Sequence, residues 1–366
     1  MVEHLGDEFE FRIVTRDRDA LDTKPYKGVK VDDWNSVGKA KVFYASSRTI
    51  GLWGVARLLR QTPHDVLYLN SFFSYGFTAL PLMARRMGMA PKKPCVIAPR
   101  GEFSVGALAL KSWKKRPYLK TVRALGLYSG LTWQASSLYE KEDIEEKCGS
   151  LTCRIIVASN LPPSVKGSAQ DHLTPELHKG PLRVVFLSRI TPMKNLDFAL
   201  RTIKKVRPQL VFNIYGPIRD GAYWHRCKEL IEALPENIAV EYCGSVTPDS
   251  VSGIMAQHDL FFLPTLGENY GHVIPEALCA GTPVLIADTT PWRHLAEAAV
   301  GWDLPLQAGE NVFAERIEEV ARMPVEVRSD WRMRIAKWAA SKLSDTDVIE
   351  ANRNLFVCAA EAKFHF

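Results

Sequence analysis

Short apolar runs alternate with longer amphipathic stretches along nearly the whole chain, and that rhythm leaves few folds open. DLFFLP at 259–264 and TPVLIAD at 282–288 are apolar without a period of two, as strands of a parallel sheet covered on both faces are. Further runs at 9–15, 40–45, 65–70, 95–98, 131–135 and 154–158 give the first half its strands. Runs at 182–187, 210–215, 239–243, 259–263 and 282–287 give the second half its strands, with helical patterns between them. The stretch 160–181 is polar, carries prolines and has no period, so it separates two α/β halves. At 366 residues the chain exceeds what one core usually serves, and a hydrophobic content of 46% suffices for two. The expected fold class is α/β with two Rossmann-like domains. Their bounds are 1–165 and 182–345, joined by a linker at 166–181 and followed by a helical tail at 346–366. The opening MVEHLGDEF reads as the end of a helix. A Rossmann-like domain ordinarily begins with a strand and a glycine turn, so that strand is expected to be missing here, either because the true start lies upstream or because the first domain is built without it.

Charge and cysteine usage exclude several classes. A net charge of +6 is modest for this length and falls short of a dedicated nucleic-acid binder, so no nucleic-acid partner is expected. It does suit anionic ligands or an anionic membrane surface. Seven cysteines, odd in number and scattered through strands and helices, read as reduced core thiols. Cys148 and Cys153 are the one close pair, and no second pair or spaced histidine completes a zinc site. No apolar run reaches membrane-span length and no secretory signal opens the chain, so a cytoplasmic location is expected. No G-x-G-x-x-G follows a strand, which sets a nicotinamide-dependent dehydrogenase aside.

The densest chemistry lies at 267–281, GENYGHVIPEALCAG, directly after one buried strand and before another. Two carboxylates, Glu268 and Glu276, bracket a glycine-flanked turn that runs into a short helix. Seated at the carboxyl end of a parallel sheet, such a turn is where ligands of these folds bind. A carboxylate can accept from two hydroxyls, so Glu276 suits a ribose diol and Glu268 a second sugar. Backbone amides along Asn269, Tyr270, Gly271, His272 and Val273 suit phosphate contact at the helix start. Arg189 and Lys194 lie five apart across a turn containing Pro192 and can converge on one anion.

Four segments in order carry a more specific signal. They are FLSRITPMKN (186–195), NIYGP (213–217), YCGSVTPDSV (242–251) and the paired glutamates with seven residues between them. Together they resemble the retaining glycosyltransferases of family 4, which have the GT-B fold. The resemblance implies two Rossmann-like domains facing across a cleft, with the C-terminal helix crossing back to the first. It implies Arg189 and Lys194 on the donor diphosphate, Glu276 on the ribose, Glu268 on the transferred sugar, and Gly216 in the glycine turn. With two cations and a helix terminus on the diphosphate, no metal or other cofactor is required. The implied partners are a nucleotide-sugar donor and a saccharide or lipid-linked acceptor, in surface polysaccharide or glycolipid assembly.

The first half matches through fewer residues. APRGEFSVGALALKSWKKRPYL (98–119) resembles the segment bordering the acceptor site in bacterial members, where many relatives place a histidine and this chain has Arg100 and Glu102. Ser136, Ser137 and Glu140 are further candidates, although Ser137 and Glu140 also have capping-box spacing. Lys111, Lys114, Lys115, Arg116 and Lys120 form a basic cluster that suits either a membrane surface or an ordinary solvated helix face. Trp292, in TTPWRHL, suits either closure over a donor or a core anchor. Two other functions stay open: an N-terminally truncated, inactive nucleotide-sugar-binding homologue or partner subunit, and a sugar-nucleotide epimerase of the same architecture.

Overall fold

The computed structural model describes residues 1–19, 22–103, 108, 112–149, 154–161, 180–343 and 346–361, and it excludes the side chains of 112, 114 and 116. The chain divides into two compact units, Met1–Ser164 with Thr346–Phe366, and Val165–Asp345. The expected linker lies outside the described residues up to 179. No described helix is long and apolar enough to cross a membrane.

The first unit contains two sheets. Strands β1 (Phe11–Arg16), β2 (Trp34–Val37) and β3 (Ala40–Ala45) form one in the order β1-β3-β2, with β1 parallel and β2 antiparallel to β3. Strands β4 (Leu67–Asn70), β5 (Cys95–Ala98), β6 (Thr132–Ala135) and β7 (Arg154–Val157) form the other, all parallel and in sequence order. β1 and β4 each pair on one side only, so no described strand joins the two sheets. Beneath the four-stranded sheet lies an aromatic core in which Phe72 stacks on Tyr128 at 4.3 Å, beside Phe103 and Trp133. Closely offset ring pairs of this kind add to what area burial alone contributes.

The helix Thr346–Glu361 belongs to this first unit. Its Leu355 and Ala359 pack with Val96 and Ala158, and its Phe356 packs with Leu5, Phe9 and Phe11. The fully buried Asn352 donates to the Ser159 carbonyl at 2.8 Å and accepts from Gln134 at 3.4 Å.

The second unit holds a six-stranded, all-parallel sheet in the order β10-β9-β8-β11-β12-β13. These strands are β8 (Leu182–Leu187), β9 (Leu210–Tyr215), β10 (Ile238–Gly244), β11 (Leu260–Leu263), β12 (Val284–Ala287) and β13 (Gly301–Leu304). β11 and β12 are buried at every residue, which explains their unbroken apolar sequence. From β8 the chain winds outward through β9 and β10, then returns to start β11 on the opposite side of β8. The order therefore reverses between β8 and β11, and the crevice beyond their carboxyl ends is where such sheets bind ligands.

Candidate functional site

The loops leaving β8 and β11 flank that reversal, and they carry the sequence-predicted residues of the second half. After β8 the chain makes a single 3-10 turn, Pro192–Lys194, ended by Asn195 in the left-handed region at φ 60°. The Asn195 side chain donates to the Pro264 carbonyl at 2.9 Å, while the Met193 carbonyl accepts from the Leu266 amide at 2.8 Å and the Thr265 hydroxyl at 3.0 Å. Three hydrogen bonds thus dock one loop on the other. The result is a direct ion pair between Lys194 and Glu268, with side chains only 9% and 14% exposed.

Arg189, at the carboxyl end of β8, is exposed and has no ion-pair partner among the described residues. Gly216 follows β9 at φ 131°, and a Cβ there would lie 1.9 Å from the Ser188 carbonyl oxygen. Glycine is therefore required for the β8 and β9 loops to approach this closely. The Gly216 carbonyl also accepts from the Tyr242 hydroxyl at 2.9 Å.

The β11 loop reaches the helix Val273–Cys279 through Gly271 at φ 73°. Glu276 lies in the first turn of that helix. Burial, with no cation against it, pushes its carboxyl up to about 7. Its side chain has no hydrogen-bond partner among the described residues, in contrast to Glu268. Tyr270 packs edge-on against Trp292 at 5.4 Å and lies 4.9 Å from the His272 ring. Lys194, Glu268, Asn269, Tyr270, Gly271, His272, Val273 and Glu276 thus share one pair of loops and one helix start, with Arg189 and Gly216 on the neighbouring strand ends.

In the first unit the predicted residues gather at the carboxyl ends of β4, β5 and β6. Arg100, in the left-handed region at φ 57°, donates to Asn70 Oδ1 at 2.8 Å and to the Tyr68 hydroxyl at 2.6 Å. Glu102 accepts from the Ser71 hydroxyl at 2.7 Å and from the Phe72 and Phe73 amides, so its carboxylate anchors the loop after β4. Glu140 accepts from the Ser136 amide and hydroxyl and from the Gly101 amide. Ser137 is the N-cap of the helix Leu138–Cys148, accepting from the Glu140 amide at 3.1 Å. Of the capping-box pair, then, Ser137 caps while Glu140 ties β6 to the loop after β5.

In the basic cluster, Lys111 and the side chains of Lys114 and Arg116 lie outside the described residues. Lys115 sits over the Phe73 ring at 5.0 Å, and Lys120 is exposed. Sequence reasoning missed Met193, Thr265, Thr289 and Asp303, which set the loops in place without facing the crevice chemistry. Their signal is faint, because each acts through a backbone carbonyl or a contact with a distant segment.

A doubly wound parallel sheet with cations and carboxylates at its reversal, preceded by a second α/β unit, is the architecture of the GT-B glycosyltransferases. Anabaena HepE, solved in complex with UDP and glucose, superposes with a TM-score of 0.65 at 17% identity, covering 88% of this chain and 86% of that one. Residues 170–338, in the second unit, match the family model described as Glycosyl transferases group 1. An uncharacterized 41.2 kDa protein in the cps region of Klebsiella pneumoniae is 27% identical over 243 residues, 63% of this chain and 62% of that protein. The D-inositol 3-phosphate glycosyltransferase of Rhodococcus erythropolis is 30% identical over 167 residues, 42% of this chain. The chain thus spans 62% of the first relative's length and 37% of the second's.

Proposed function

We propose that this chain transfers a sugar from a nucleotide-sugar donor, with retention of anomeric configuration, to a saccharide or lipid-linked acceptor in surface polysaccharide or glycolipid assembly. One observation carries the reading: Lys194 and Glu268 are held together across the sheet reversal, with Glu276, unpaired among the described residues, on the adjoining helix. Lys194 has three N–H donors, so pairing with Glu268 leaves two for a phosphate oxygen. Arg189 offers a planar fork to the same diphosphate. As the bond from sugar to phosphate breaks, charge builds on the leaving diphosphate, and preplaced cations stabilise it without reorganising. This assignment makes the reaction metal-independent.

Glu276 then accepts the ribose hydroxyls, Glu268 the hydroxyls of the transferred sugar, and the backbone from Asn269 to Val273 lines the phosphates. Gly216 keeps the β9 loop low enough for a nucleotide to pass. Arg100 is assigned to the acceptor, since its remaining N–H groups lie at the carboxyl end of the four-stranded sheet. Glu102 supports it by fixing the neighbouring loop. The description of the Klebsiella relative, from a cps region, supports the polysaccharide assignment. A helix, Ser112–Ala124, rich in Lys and Arg and free of acidic residues supports peripheral contact with an anionic membrane on the cytoplasmic side.

The test is a thermal-shift and donor-hydrolysis screen of UDP-, GDP-, ADP- and dTDP-sugars with chelator present, on wild type, Glu276→Ala and Lys194→Ala. Stabilisation by one nucleotide that either substitution abolishes is the expected result. Binding without turnover favours an inactive homologue or partner subunit, and stabilisation by none overturns the donor site.

A further inference from the structure

The segment following β12 bears on the donor loop in a way that neither a lid nor a plain core anchor accounts for. It is fixed from behind by Asp303 on β13, whose carboxylate accepts from Arg293 Nε at 3.1 Å, the His294 amide at 3.2 Å and the Leu295 amide at 2.9 Å. Forward of that anchor it meets the β11 loop at three points. The Thr289 hydroxyl donates to the Thr265 carbonyl at 2.7 Å, and the Thr289 carbonyl accepts from the Glu268 amide at 3.3 Å. Trp292 Nε1 donates to the Tyr270 carbonyl at 2.6 Å, with its ring edge-on against Tyr270.

The last contact determines more than one hydrogen bond. A trans peptide is planar, so the Tyr270 carbonyl and the Gly271 N–H point in opposite directions within one rigid unit. Holding the carbonyl on Trp292 therefore aims the Gly271 amide away from the buttress. Gly271, at φ 73°, has no Cβ to resist rotation of that unit, so local chain sterics do not hold it.

We infer that Trp292 is a positioning residue of the donor site, which through the Tyr270 carbonyl orients the peptide carrying the Gly271 amide between Glu268 and Glu276. The inference rests on the reading that this loop receives the nucleotide-sugar diphosphate. Trp292→Phe keeps a ring against Tyr270 and deletes the N–H, while Trp292→Ala deletes both.

Calorimetric titration of UDP-, GDP-, ADP- and dTDP-glucose identifies the donor that wild type binds, and both variants are titrated with it. Hydrogen exchange is followed in parallel on peptides covering 265–272 and 182–187. The expected result for Trp292→Phe is binding weaker by about five- to tenfold, the worth of one backbone hydrogen bond. Exchange should quicken at 265–272 alone, and Trp292→Ala should weaken binding further. Unchanged affinity and exchange in Trp292→Phe overturn the inference while leaving the donor site standing. Faster exchange at 182–187 as well makes Trp292 a core anchor and also overturns it. If wild type binds none of the four donors, the functional reading itself fails and takes this inference with it.

Discussion

Glu276 offers a test in which the direction of a pH effect, and not only its size, is fixed by the structure. Its carboxyl is pushed up from an ordinary 4.5 to about 7 because burial disfavours the charged form and no cation offsets that cost. Below the lower value both folded and unfolded chains hold the proton and nothing is lost. Between the two values the unfolded chain releases the proton while the folded chain keeps it, so stability declines as pH rises and levels off above about 7. The full span corresponds to a ceiling of about 3 kcal/mol, and partial exposure of the group reduces this to about 1–2 kcal/mol. Glu276→Gln keeps the shape without the titration. It should therefore match wild type near pH 4.5 and exceed it at pH 8 by about 2–6 °C in Tm, read by scanning fluorimetry at both pH values. A Tm difference that is the same at pH 4.5 and pH 8 would refute the reasoning. In the proposed complex the ribose hydroxyls favour the carboxylate, so donor affinity should be about tenfold lower at pH 6 than at pH 8.

Lys194→Ala leaves the Glu268 carboxylate, 14% exposed, without its cation, and should lower the stability of the second unit by about 3 kcal/mol in urea titration. Adding Glu268→Gln to that variant should recover most of the loss, and no recovery would mean the ion pair is not what holds the two loops. Gly216→Ala places a Cβ 1.9 Å from the Ser188 carbonyl oxygen and should cost more than about 3 kcal/mol or abolish soluble expression. Gly221→Ala, with nothing within 4 Å of its added Cβ, should stay within about 0.5 kcal/mol of wild type, so equal effects at the two positions would sink the steric argument. Asn352→Leu orphans the Ser159 carbonyl, while the Gln134 side chain keeps its bond to the Ala158 carbonyl, which should cost about 1–3 kcal/mol and expose the helix Thr346–Glu361 to proteolysis; unchanged protease resistance would contradict it.

What the sequence made legible depended on how deeply each element is buried. β3, β5, β8 and β9 form with the expected bounds, because each is mostly buried and keeps at most one polar or charged residue inside its apolar run. β2, WNSV, and β13, GWDL, escaped notice because four residues with polar or charged members show no period. The division of the first half into two sheets was equally hidden, since strand pairing is a property of the assembled chain and not of any one run. The spacing of Glu268 and Glu276 could be read directly from the motif. Their opposite environments could not, because the cation against Glu268 arrives from 74 residues away. That approach depends on the Met193 carbonyl and on the Asn195 side chain reaching the Pro264 carbonyl, a backbone group that no side-chain pattern announces.

The difference between those two glutamates gives the site its logic. Glu268 is paired directly with Lys194, so a diphosphate entering the proposed site must share the lysine rather than find it isolated, and two N–H donors remain for it. A second negative charge on Glu276 would stand close to the same anion and repel it. Burial leaves an appreciable fraction of Glu276 protonated near neutral pH, which lowers that repulsion until ribose hydroxyls are in place to stabilise the carboxylate. The absence of a salt bridge at Glu276 among the described residues is as much a part of the proposed donor site as the presence of one at Glu268.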